Sequence, residues 1–175
     1  MAILGKDPLI AVLRFVIGFA MGICALIVIG LVCAMVALPF IDVSLGDAEV
    51  AKGLTTTQAI LCLEALAAAI AILMAMGFQF LRLLWRVLAS IREGDPFASA
   101  NSVRLSQMAW LALAANIWGV VLGVYSYWLS GFFDDEDFQV DIDSGGGVLL
   151  VLVLFVLARV FRYGTALRED LEGTV

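Results

Sequence analysis

The sequence predicts an all-α protein, a four-helix transmembrane bundle with cytoplasmic helical extensions. Three observations predict it. Hydrophobic residues make up 63% of the 175 residues and charged residues 15%, whereas a soluble domain is about half apolar and about a quarter charged. Long, nearly charge-free runs recur along the chain, of the kind needed to cross a hydrocarbon core of about 30 Å. The charges are also segregated by sign. Of the ten Lys and Arg residues only Lys52 lies in the first or third connection, and those two connections hold Asp42, Asp47, Glu49, Asp134, Asp135, Glu136, Asp137, Asp141 and Asp143. Because basic residues stay on the cytoplasmic side, both termini and the central turn are expected in the cytoplasm of a bacterial inner membrane. The net charge of −6 averages these opposed regions and describes neither.

A single integral membrane domain, 1–175, is expected, with spans at about 15–38, 59–81, 108–129 and 147–161. Residues 1–14 read as a short inside tail carrying Lys6 and Arg14. A cleaved signal peptide is the competing reading. The uncharged run from Phe15 to Phe40 is too long for one and lacks a clean small-residue cleavage site, so a retained helix is expected. Gly18-x-x-x-Gly22 and Gly30-x-x-x-Ala34 allow close helix approach within the bundle. Pro39 ends the helix. Thr55, Thr56 and Thr57 are N-cap candidates for the second.

The second span carries Glu64 on a face with Ala68, Ala71 and Ala75. An ionisable residue within a span is a functional candidate by default. The plainer reading, which is preferred, puts it about 7 Å deep, where the carboxyl reaches interfacial water. The helical pattern continues past Arg82 to Arg92. Gly94 is a helix stop, and Asp95 followed by Pro96 is a helix start. The two helices therefore form an antiparallel hairpin whose tip extends about 18 Å beyond the bilayer.

The third span presents Ala112, Asn116, Gly119, Gly123, Ser126 and Ser130 as a small and polar stripe, the usual means of joining membrane helices. Folding the hairpin about Gly94 and Asp95 brings Glu64 level with Tyr125 and Ser126. Glu64, Asn116, Tyr125 and Ser126 form the candidate intramembrane polar site. The acidic connection lacks the carboxylate spacing of a calcium loop. In the fourth span Arg159 and Arg162 mark the inner interface, and the helix runs on into the tail with Gly164 as a weak point.

The chain has no histidine, which excludes bis-histidine haem, the HExxH zinc site and a histidine general base. Cys24, Cys33 and Cys62 form no CxxC pair and read as small hydrophobes. No catalytic constellation, metal site or cofactor is expected, and the protein reads as a non-enzyme.

Gly94-x-Pro96-Phe97, followed by Asn101, Arg104 and Leu105, and the terminal pattern Phe161-x-x-Gly164-x-x-Leu167-x-x-Asp170-x-Glu172-x-Thr174-Val175 resemble a bacterial domain-of-unknown-function family of small four-span membrane proteins. The resemblance covers most of the chain. It implies the same topology and, because members are often encoded beside a small helix-turn-helix regulator, a cytoplasmic partner of that kind. It carries no chemistry over.

The residues behind the resemblance cluster on the cytoplasmic side. Arg82, Arg86, Pro96, Phe97, Asn101, Arg104, Asp170 and Glu172 form the candidate cytoplasmic docking surface. The competing reading is a solvated rim of weak ion pairs. The turn and the tail are expected to pack together through Leu84, Leu88 and Ile91, Phe97 and Leu105, and Leu167 and Leu171. Two functional readings follow. The first is a membrane protein that docks or regulates a cytoplasmic partner such as a small transcription regulator, without binding nucleic acid itself. The alternative is a small transporter or proton-coupled carrier using Glu64 and Asn116. Besides the lipid bilayer, a second copy of the chain is a candidate partner in either case.

Overall fold

The structure is a computed structural model and describes residues 8–38, 55–92, 99–133 and 144–172. These form four helices: α1, Pro8–Ala37; α2, Thr56–Arg92; α3, Ser99–Phe133; and α4, Ser144–Glu172. All four are long and apolar enough to cross a membrane. The expected all-α bundle is the observed fold.

Local chemistry sets the ends. α1 starts at Pro8, where a missing N–H costs nothing and the fixed φ suits the first turn. The helix thus begins before the expected span at about 15, and Arg14 lies within the helix. The helix stops at Ala37 because Pro39 disfavours helical geometry in the residue before it. α2 opens on a capping box. The Gln58 N–H donates to Thr55 Oγ1 at 3.4 Å, and the Thr55 N–H donates to Gln58 Oε1 at 2.9 Å. α2 then runs unbroken to Arg92, as expected, past the end at about 81 that the sequence suggests for its span. Gly94, Asp95, Pro96 and Phe97, on which the expected stop and restart fall, lie outside the described residues.

Each helix packs chiefly on the next in sequence. The order is up-down-up-down. Gly18 and Arg14 of α1 meet Trp85 near the end of α2. Ser90 near the end of α2 meets Asn101 near the start of α3. Trp110 of α3 meets Phe155 of α4 edge-on, with ring centroids 5.4 Å apart. The start of α1, the end of α2, the start of α3 and the end of α4 thus share one end of the bundle. That end carries Arg14, Arg82, Arg86, Arg92, Arg104, Arg159, Arg162 and Arg168, and is called the basic end below.

The main core lies toward the basic end. Leu83, Leu105, Met108, Ala109, Ala112, Val151, Leu154 and Ala158 are buried together, with Phe80, Phe155 and Phe161 against them. A smaller cluster of Leu66, Leu122 and Leu129 lies toward the other end. Lipid tails are as apolar as these side chains, so packing rather than water exclusion joins the helices, and the alanines permit it by letting backbones approach. The outward faces of α1 and α4 expose Phe15, Phe19, Leu26, Leu149, Leu152 and Val156. Such faces suit hydrocarbon contact, because a helix satisfies its own backbone there.

Two packing expectations need correction. Leu167 is 65% exposed, so it does not bury itself against the turn. Val87, Leu88 and Leu105 are already buried, and the apolar contacts of α4 with the core run from Val151 to Phe161, before Gly164. The side chain of Leu171, like all of Phe97, lies outside the described residues. Gly119, expected to mediate close helix contact, is also loosely packed, since a Cβ placed there would meet nothing within 4 Å.

Candidate functional site

The hairpin end of α2 and α3 is held by a polar network (Ser90, Asn101, Arg104 and two backbone carbonyls). Asn101 is 0% exposed, in the first turn of α3. Its Nδ2 donates to Ser90 Oγ of α2, and Ser90 Oγ donates in turn to the Val87 carbonyl at 2.7 Å. Arg104 Nη1 donates to Asn101 Oδ1 at 3.0 Å and to the Arg86 carbonyl at 3.4 Å. One amide thus joins the two helices and orients a guanidinium that bridges them again. Ser102 Oγ donates to the Ser99 carbonyl at 2.8 Å and tightens the first turn of α3. A buried amide left unpaired would be costly, so this geometry specifies one register for the hairpin.

The network redistributes the expected docking residues. Asn101 offers no surface, because its amide is consumed inside the hairpin. Arg104 is half-buried and turned into the same network. Arg82 and Arg86 are exposed, but they face α1 and line a cavity of about 340 Å³ with Gly18, Met21 and Trp85. Arg14 stacks on the Trp85 ring, its guanidinium carbon 4.4 Å from the centroid. Asp170 is exposed on α4. Pro96 and Phe97 lie outside the described residues, and of Glu172 only the backbone is described. Ser90, Trp85 and Gly18 were not among the predicted site residues. The weak sequence signal for Ser90 is its spacing, with Ser90 and Asn101 symmetrically placed about the central turn.

The candidate intramembrane polar site is divided in a similar way. Tyr125 Oη donates to the Cys62 carbonyl at 3.0 Å, and Trp118 Nε1 donates to the Ala69 carbonyl at 3.0 Å. These bonds place Tyr125 level with the first part of α2, where Glu64 lies. The hydroxyls do not serve Glu64, however. Tyr125 bonds Cys62, and Ser126, which is buried, donates to the Gly123 carbonyl at 3.0 Å. Glu64 is half-buried and makes no hydrogen bond to another described residue.

Asn116 belongs to a different level, about 10 Å along the axis from Glu64 at the helical rise. Its Nδ2 donates to the Ala112 carbonyl at 2.8 Å. Its amide abuts Gly147 of α4 so closely that a Cβ there would overlap Oδ1 and lie 2.8 Å from Cγ. Asn116 also borders a cavity of about 300 Å³ whose other walls include Met76, Phe80, Leu111 and Leu150. Its role is to fit α4 onto α3. The structure therefore does not gather Glu64 and Asn116 into one site.

Among the described residues no group of three or more Cys, Asp or Glu side chains is placed to hold a metal ion. Cys24 and Cys62 are half-buried, Cys33 is exposed, and all three are free.

Neither the curated proteins nor the solved structures contain a match to this chain. Comparison with known families matches residues 48–175, which includes the central turn, the hairpin network and the whole of α4, to a family described as protein of unknown function, DUF2975. With that match over most of its length, the chain belongs to the DUF2975 family.

Proposed function

We propose that the protein is a non-enzymatic membrane platform, in which four spans hold a rigid cytoplasmic hairpin against which a cytoplasmic partner docks. The observation that carries this reading is the buried Ser90–Asn101–Arg104 network. It lies outside the spans expected from the sequence at about 59–81 and 108–129, at the basic end, where neither lipid nor a transported solute requires it. A membrane helix pair needs no buried polar lock outside the bilayer merely to remain inserted, whereas a recognition surface gains from one shape held before binding. The network leaves Arg92, Val103 and the face of α4 with Leu167 and Asp170 exposed around the hairpin. These supply an apolar and charged fringe of the kind that steers and selects partners.

The partner class is a small helix-turn-helix regulator, as the family resemblance implies, and the membrane is the bacterial inner membrane with this end in the cytoplasm. The test is binding of the regulator encoded beside the gene to the protein in nanodiscs. Arg92→Glu and Val103→Asp should weaken binding about tenfold while leaving thermal stability unchanged. Absence of binding by the unmodified protein would defeat the proposal. The carrier reading retains a single supporting residue, Glu64, as a half-buried carboxyl with no hydrogen-bond partner among the described residues. Proton flux in liposomes that Glu64→Gln abolished would favour it.

A further inference from the structure

We propose that the cleft between α1 and α2 at the basic end binds the phosphate headgroup of an anionic phospholipid. The inference does not depend on the docking reading. Arg82 and Arg86, one helical turn apart, point from α2 toward α1 and line the cavity of about 340 Å³ with Gly18, Met21 and Trp85. Arg14 enters from α1 and lies over the Trp85 ring at 4.4 Å. Two guanidinium groups thus line the opening, and a third, from the other helix, lies over the ring that borders it. Among the described residues no carboxylate pairs with any of them. Gly18 adds no side chain to the cleft, and a Cβ placed there would lie 3.5 Å from the Trp85 ring edge.

The ligand chemistry follows from these groups. Guanidinium forks match phosphate oxygens in pairs, and such forks lining an opening favour an anion carrying a phosphate. The depth of the cleft favours lipid over a free ion. The uncharged part of α2 ends at Leu81, and that of α1 begins at Phe15. Arg14, Arg82 and Arg86 therefore stand where lipid phosphates lie, with Trp85 at headgroup level. Gly18 and Met21 line the cavity from within the apolar run of α1. Basic pockets between membrane helices on the cytoplasmic side hold anionic headgroups in this manner.

A second arginine pair at the same end supplies the control. Arg159 and Arg162 line a cavity of about 290 Å³ with Tyr163 and Ala166, all on α4, and Arg159 Nη2 donates to Tyr163 Oη at 3.3 Å. That surface has the same charge, but among the described residues no second helix closes it into a cleft.

The protein is reconstituted in nanodiscs of equimolar phosphatidylcholine and phosphatidylglycerol, and retained lipids are counted by native mass spectrometry. The unmodified protein should retain phosphatidylglycerol preferentially. The preference should fall by about tenfold in R82Q/R86Q and stay unchanged in R159Q/R162Q. Equal retention of the two lipids by the unmodified protein, or equal losses in both double variants, would overturn the assignment. Gly18→Leu fills the cleft without altering charge and should abolish the preference; its survival there would also overturn the proposal. Displacement of phosphatidylglycerol by excess inorganic phosphate would assign the arginines to a soluble phosphate instead and refute the lipid.

Discussion

Two residues hold the structure together through contacts that few substitutes can make. Asn101 accepts from Arg104 and donates to Ser90 while fully buried. Asn101→Ala removes both bonds and leaves the arginine without its side-chain acceptor, so it should cost about 1–3 kcal/mol, read as a lower unfolding temperature in mild detergent. Ser90→Ala should cost less, because Arg104 keeps Asn101 Oδ1. Gly147 is the second. Any Cβ there overlaps the Asn116 amide, and Asn116 is held in place by its bond to the Ala112 carbonyl. Gly147→Ala should therefore loosen α4 from α3 and lower the unfolding temperature. Asn116→Ala added to it should restore much of the loss by making room, a sign of direct contact that two independent sites would not give. Neither role was legible in the sequence. Asn116 reads as helix glue from its neighbours, but the glycine that faces it sits on another helix, at a register no local pattern encodes. Asn101 reads as a surface residue, because its position beyond the span hides the fact that the hairpin makes its own interior.

Among the elements, the α2–α3 hairpin is the most strongly determined. Its register is pinned at three levels, by Tyr125 on Cys62, Trp118 on Ala69 and Asn101 on Ser90. The first two bonds deliver aromatic donors to carbonyls that already accept within α2. Tyr125→Phe and Trp118→Phe should accordingly cost only about 0.5–1 kcal/mol each, in line with hydrogen bonds inside membranes generally. Denaturation in detergent would check this, and a larger loss than that of Asn101→Ala would mean the hairpin is held from its middle and not from its end. The sequence made this element legible through the helical pattern running past Arg82 and the fold about Gly94 and Asp95. It misled at the tail. Leu167 and Leu171 continue a helical spacing that suggests a packed face, yet Leu167 is exposed. Val87, Leu88 and Leu105 are already buried, and α4 packs on the core from Val151 to Phe161, ahead of Leu167.

For the whole molecule, the segregation of charge carries the most information. The contacts between α1 and α2, α2 and α3, and α3 and α4 bring the arginines of four separate helix ends to one side, as the sequence order alone required. The proposed docking surface and the proposed lipid site both depend on that side facing the cytoplasm. Cysteine accessibility tests this most directly. In a chain with Cys24, Cys33 and Cys62 replaced by Ser, Gly94→Cys and Asp135→Cys are labelled one at a time with a membrane-impermeant maleimide, in intact spheroplasts and in inverted vesicles. Gly94→Cys should react only in inverted vesicles and Asp135→Cys only in spheroplasts. Labelling of both positions from the same side would contradict the four-span topology and the site assignments built on it.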